Sequence, residues 1–237
     1  MKYTNTSAKI IILSLLGVIA VSALVVLLQK NLAPIAPTDA FSNATPNISK
    51  NTESGQPSNS TTLTEQEKAG IIQMREEEKL ARDVYTTLGN IWGTPIFQNI
   101  ASSEQTHTDA VKTLLTQYNI EDPVRNNTIG VFTSPIIQDL YDKLTTRGKT
   151  SLREALVVGA LIEDLDIRDL DTLIDQTNKS DILTVYSNLQ KGSRNHMRSF
   201  VRNIEANGGT YTPSYISQSE YDSILNSSQE RGGQFGR

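Results

Sequence analysis

The sequence contains no cysteine. That absence excludes disulfides, thiolate metal sites and cysteine nucleophiles together. Any metal must be held by oxygen and nitrogen, which suits Fe, Mn or Zn better than Cu(I) or an iron–sulfur cluster. Basic residues are not in excess: 22 Lys and Arg stand against 26 Asp and Glu, with a formal net charge of −4 and a pI near 5.3. A nucleic-acid partner would want a basic face, so none is expected. Aromatic residues are scarce at 6% and hydrophobic residues reach only 37% of 237 positions. That is low for a chain globular throughout, and it leaves room for one domain plus extensions. Histidine occurs only twice, as His107 and His196.

Long hydrophobic runs are absent except for Ile10 to Leu28, which carries no charge. A helix of that length spans about 28 Å, close to the hydrocarbon thickness of a bilayer. Lys2 and Lys9 precede it and Lys30 follows. The expected organisation is a short cytoplasmic segment (1–9), a single-pass transmembrane signal anchor (10–29) and an extracytoplasmic remainder. The rival is a cleaved signal peptide, which would make the protein secreted, although such cores run to about 7–15 residues. Residues 30–62 are rich in Asn, Ser, Thr and Pro and cannot bury enough surface to fold, so they read as a disordered polar linker. Six Asn-x-Ser/Thr tripeptides begin at Asn43, Asn47, Asn59, Asn126, Asn178 and Asn226. They are weak glycosylation signals.

From Thr64 onward the pattern is helical. Thr64-Glu65-Gln66-Glu67 and Ser151-Leu152-Arg153-Glu154 have the form of capping boxes. Ser180 is placed as the cap of the last long helix, and Gly89 to Pro95 as a turn. Four helices each show a seam at 3–4 spacing. The first reads Ile71, Met74, Glu78, Ala81, Tyr85, Leu88. The second reads Phe97, Ile100, Glu104, His107, Val111, Leu114, Tyr118. The third reads Leu152, Leu156, Gly159, Glu163, Asp166, Leu170, Leu173. The fourth reads Ile182, Tyr186, Leu189, Ser193, His196, Phe200, Asn203. A shorter helix around Ile137, Leu140, Tyr141 and Leu144 serves as the crossover between the two halves. Glu76, Glu77, Asp164, Asp169 and Asp171 fall off the seams and are assigned to solvated faces. The fold class is therefore all-α, an antiparallel four-helix bundle over 63–226 with a C-terminal packing tail, followed by a disordered 227–237.

Each seam is broken near its middle by acid or histidine, and both histidines fall on the breaks. Taken singly, a break is explained by a wet edge or a satisfied core histidine. Four together are harder to explain so, because each uncompensated buried ion costs several kcal/mol, comparable with the stability of a whole domain. Glu78, Glu104, Glu163 and Asp166 carry a formal −4, which two divalent cations balance and one Zn²⁺ does not.

These residues give the chain a resemblance to the ferritin-like superfamily. Within it, the chain looks like the rubrerythrin-like di-iron carboxylate proteins, in a bacterial and archaeal branch catalogued as a domain of unknown function. The segments that carry the resemblance are EEEKLARDVY, NIASSEQTH, GALIEDLDI and GSRNHMRSF, within Thr64 to Leu225. It implies Glu78, Glu104, His107, Glu163, Asp166 and His196 as metal ligands. It implies two divalent ions, Fe first and Mn second, and an oxidoreductase acting on peroxide, O₂ or ferrous iron. Tyr85 becomes a candidate radical or proton donor, against the plainer role of a core tyrosine. Ser193 stands where the family pattern has a second Glu-x-x-His glutamate, leaving Asp166 to supply that charge. The rubredoxin-like domain of rubrerythrins needs cysteine, so the electron donor is another, unknown molecule. A homodimer is permitted. The rival expectation is a non-catalytic metal-binding or interaction module on the cell surface.

Overall fold

Thr64 opens the folded region as its sequence suggests. Its hydroxyl accepts from the Glu67 amide at 3.1 Å, and the Glu67 carboxylate accepts from the Thr64 amide at 2.8 Å. The structure is a computed structural model and describes residues 62–231. Every regular element among them is a helix: α1 (Glu65–Trp92), α2 (Pro95–Gln117), α3 (Pro135–Gly148), α4 (Leu152–Asp175), α5 (Ser180–Ala206) and α6 (Gln218–Asn226). No helix among the described residues is long and apolar enough to cross a membrane. The expected anchor at 10–29 and nearly all of the linker lie outside the described residues, as do 232–237.

Several expected helix ends are corrected. α1 does not stop at Gly89 but runs to Trp92. The left-handed position that ends it is Gly93, at φ 63°, whose N–H donates to the Gly89 carbonyl at 2.8 Å. Ser151 forms half of a capping box. Its hydroxyl accepts from the Glu154 amide, but the Glu154 carboxylate is taken by Arg147 at 2.8 Å. Ser180 is the first helical residue rather than the cap, which is Lys179.

Side-chain pairs fix the helix directions. Gln73 meets Asp169 and Tyr85 meets the Gly159 carbonyl, so α1 and α4 are antiparallel. Ser103 meets His196 and Gln117 meets Asp181, so α2 and α5 are antiparallel. The short connections α1–α2 and α4–α5 make two hairpins, and each hairpin packs on the other. The result is four long helices with antiparallel neighbours. α2 and α4 then run the same way, so the chain between them must travel the length of the bundle. It does so by climbing α1. Asp122 pairs with Arg75, the Thr128 and Val131 carbonyls accept from Lys79, the Gly130 amide donates to Asp83, and Tyr141 meets Thr87.

The interior has two apolar cores. One holds Tyr85, Phe97, Ile137, Leu156 and Phe200; the other holds Ile71, Met74, Leu115, Leu170 and Tyr186. Burying such a side chain contributes about 1.5–3 kcal/mol. The seam breaks lie between the two cores. The acids assigned to solvent behave differently from expectation. Glu77 and Asp169 are buried, and Asp164 is 0% exposed. Asp164 accepts from the Tyr211 hydroxyl and from the amides of Ser214, Tyr215 and Ile216. That holds the C-terminal segment on the bundle, with Ile216, Tyr221 and Ile224 buried. The segment expected to be disordered from 227 is in fact held at its start: Glu230 pairs with Arg194 at 2.6 Å and Arg198 at 3.1 Å.

Candidate metal centre

Glu78 of α1, Glu104 and His107 of α2, Glu163 of α4 and Ser193 and His196 of α5 are all buried between the two cores. The helical period brings them to one level. The Nδ1 of His107 lies 2.7 Å from Glu104 Oε2 and 3.3 Å from Glu78 Oε2. The Nδ1 of His196 lies 2.8 Å from Glu104 Oε1 and 3.5 Å from Glu163 Oε1. Glu104 thus gives one oxygen to each histidine. Two triads result, Glu78–Glu104–His107 and Glu104–Glu163–His196, each with one atom per residue inside a 4.8 Å circle. The two imidazoles stack, with ring centroids 5.7 Å apart.

The donor set fits metal ions. First-row divalent ions take imidazole nitrogen and carboxylate oxygen at about 2.0–2.2 Å. Two such ligands at right angles stand about 3 Å apart, within the range of the four separations above. His196 Nδ1 makes no hydrogen bond among the described residues despite its 2.8 Å approach to Glu104, and Glu78 Oε1 has no partner either. Buried polar atoms without partners are rare and call for an explanation. A cation in each triad would supply one.

Electrostatics say the same. Burial pushes the Glu78 carboxyl up to about 8, against the pull of His107. Burial also raises Glu163, opposed by His196. For His196, burial works downward, but Glu104 and Glu163 outweigh it and lift the imidazole to about 10. Glu104 is the exception: the two imidazolium rings overcome burial and hold it below the usual carboxylate range. The metal-free centre therefore gathers protons where positive charge is wanted.

The remaining expected site residues are placed less centrally. Asp166 is half-buried, belongs to neither triad and accepts from the Ser193 hydroxyl. Burial and then Glu78 raise its pKa well above normal. Tyr85 is fully buried, and its hydroxyl donates to Glu163 Oε1 at 2.6 Å. Two neighbours were not legible in advance. Ser103 lies 3.1 Å from His196 Nε2. Gly192 lets α5 approach His107: a Cβ there would stand 2.6 Å from the imidazole Nε2. A glycine in mid-helix, next to the Ser193 break, was the available signal.

The model of the uncharacterised protein domain DUF2202 matches residues 67–228, most of the chain and every residue of this centre. The chain belongs to the DUF2202 family. This DUF2202 chain is 60% identical over 170 residues to the uncharacterised protein MJ0754 of Methanocaldococcus jannaschii, covering 72% of the chain and 92% of the relative. It also superposes on the crystal structure of hypothetical protein MJ0754, with a TM-score of 0.70 and 57% identity. That match covers 76% of this chain and all of the other.

Proposed function

We propose that the DUF2202 bundle binds two divalent metal ions, Fe first and Mn second, and acts as an oxidoreductase on peroxide, O₂ or ferrous iron. Glu78 and His107 hold one ion, Glu163 and His196 hold the other, and Glu104 serves both. The observation that carries this reading is Glu104, which presents one carboxylate oxygen to each triad beside two buried atoms that make no hydrogen bond among the described residues. A redox-active metal pair held there would accept electrons from ferrous iron or donate them to peroxide or O₂. The chain's own groups do the rest. The Tyr85 hydroxyl orients Glu163 and sets a proton donor against its Oε1. Ser193 holds Asp166 at the edge of the centre. The apolar cores flank the centre above and below. The ferritin-like relationship rests on the four antiparallel helices with one long crossover and on Glu-x-x-His on α2. We place the bundle outside the cell, tethered by Ile10 to Leu28, with an external electron donor.

The test is metal content after anaerobic loading with Fe(II) or Mn(II). Two ions per chain are expected, and both His107→Ala and Glu163→Ala should lower the count. Oxidation of the loaded protein by peroxide would then be followed optically. One ion per chain, or two without any redox response, would favour a non-catalytic metal-binding or interaction module. Ser193 in place of an acid gives that second reading its support.

A further inference from the structure

A groove of about 450 Å³ lies between α2 and α5, on the side of the centre away from the carboxylates. That volume is in the range of small-molecule sites and far exceeds the roughly 30 Å³ of one water. Its lining includes His107, His196, Ser103, Lys191 and Asn195, with Gln229 and Glu230 of the C-terminal segment.

The groove's chemistry is opposite to that of the centre behind it. Both imidazoles turn Nδ1 inward to glutamate oxygens. A ring that gives its Nδ1 lone pair to a cation keeps its proton on Nε2, the outer nitrogen. The Nε2 of His196 is paired with Ser103 Oγ, whose own hydrogen is left for the groove. The Nε2 of His107 has no hydrogen-bond partner among the described residues, and the α5 residue beside that edge of the ring is Gly192, which carries no side chain. Lys191 brings an ammonium that makes no ion pair among the described residues. One carboxylate reaches the lining, Glu230, and it is committed to Arg194 and Arg198. The groove thus offers N–H, O–H and ammonium donors without a free carboxylate.

We propose that this groove binds a small oxyanion, held by the Nε2–H of His107, the Ser103 hydroxyl and the Lys191 ammonium. It rests on the metal reading in one respect, the placing of the imidazole proton. The anion accepts a hydrogen bond from a metal-bound ring and so makes the ring a stronger electron donor to its ion.

The test titrates full-length, Zn(II)-loaded protein with sulfate and, separately, with acetate, using calorimetry and the ring N–H resonances in NMR. Metal content is measured in each sample. Saturable binding is expected with a shift of the His107 Nε2–H signal, weakened about tenfold in Lys191→Gln by loss of a charge-assisted contact. Binding of sulfate but not acetate would identify a phosphate-like ligand, and the reverse a carboxylate. Fully loaded protein that binds neither anion, or binds them equally well in Lys191→Gln, would overturn the proposal. Protein that takes up no metal, yet binds an anion in a Lys191-dependent way, would sink the metal reading and leave the groove standing.

Discussion

Two clusters of buried charge lie within two turns of each other on α1, and they are built differently. Around Lys79, Arg82 and Asp83, every charge has an answer. Lys79 donates to Asp83 and to the Thr128 and Val131 carbonyls, and lies 4.0 Å from the Phe132 ring centroid. Arg82 donates to Asp83, Gln105 and Asn127, and Asp83 accepts from the Gly130 amide as well. The central cluster sets four acids against two imidazoles and leaves Glu78 Oε1 and His196 Nδ1 without hydrogen bonds among the described residues. A polar network that is closed from within fastens one segment to another. A network left open, at ligand spacing, is a candidate binding site.

The largest expected effect tests the closed cluster. Asp83→Ala strands two buried cations and should cost about 3–5 kcal/mol in urea denaturation. The loss should be equal in metal-loaded and metal-free protein. Next comes the open cluster. With free metal about a thousandfold above its dissociation constant, loading should add about 4 kcal/mol, and chelation should remove it. Equal melting with and without chelator would erase the contrast between the clusters.

A smaller effect separates packing from ligation. Gly192→Ala and Gly70→Ala both push a Cβ into a filled space, against His107 and Leu173 respectively. Each should cost about 1–3 kcal/mol, but only Gly192→Ala should weaken metal binding in an equilibrium titration. The smallest effect lies at the C-terminal clasp. Hydrogen bonds from Arg194 and then Arg198 hold Glu230 below its ordinary pKa. Its contribution to stability is therefore present above the unfolded-state value of about 4.3 and lost as pH falls through the folded value. The difference between wild type and Glu230→Gln should exist at pH 7 and vanish in acid, as read by denaturation at each pH.

The four seams were legible because a 3–4 spacing marks one face of a helix whatever lies beyond it. Ile71 to Leu88 on α1 and Phe97 to Leu114 on α2 are buried along their whole seams. Residues off the seams were misjudged for a single reason. α1 is covered by α2, α4 and the climbing crossover, so Glu77, assigned to solvent, is buried on a face a two-sided helix would expose, as are Arg75, Lys79 and Asp83, to which the sequence assigned no place. Asp164 was hidden likewise by the Tyr211–Ile216 segment, fifty positions away in sequence. Periodicity reports the direction a side chain takes and carries no information about which distant segment will lie there.

The sequence by itself determined the oxygen and nitrogen ligand chemistry, through the absence of cysteine, and the helical level at which Glu78, Glu104, His107, Glu163 and His196 meet. Only the tertiary structure decided that Glu104 divides its two oxygens between the histidines, that Asp166 turns to Ser193, and that Gly192 brings α5 against the outer edge of His107 beside a groove. Spacing along a helix sets a residue's face and height, whereas the atom it offers, and to whom, depends on rotamers chosen by the packing of four helices at once.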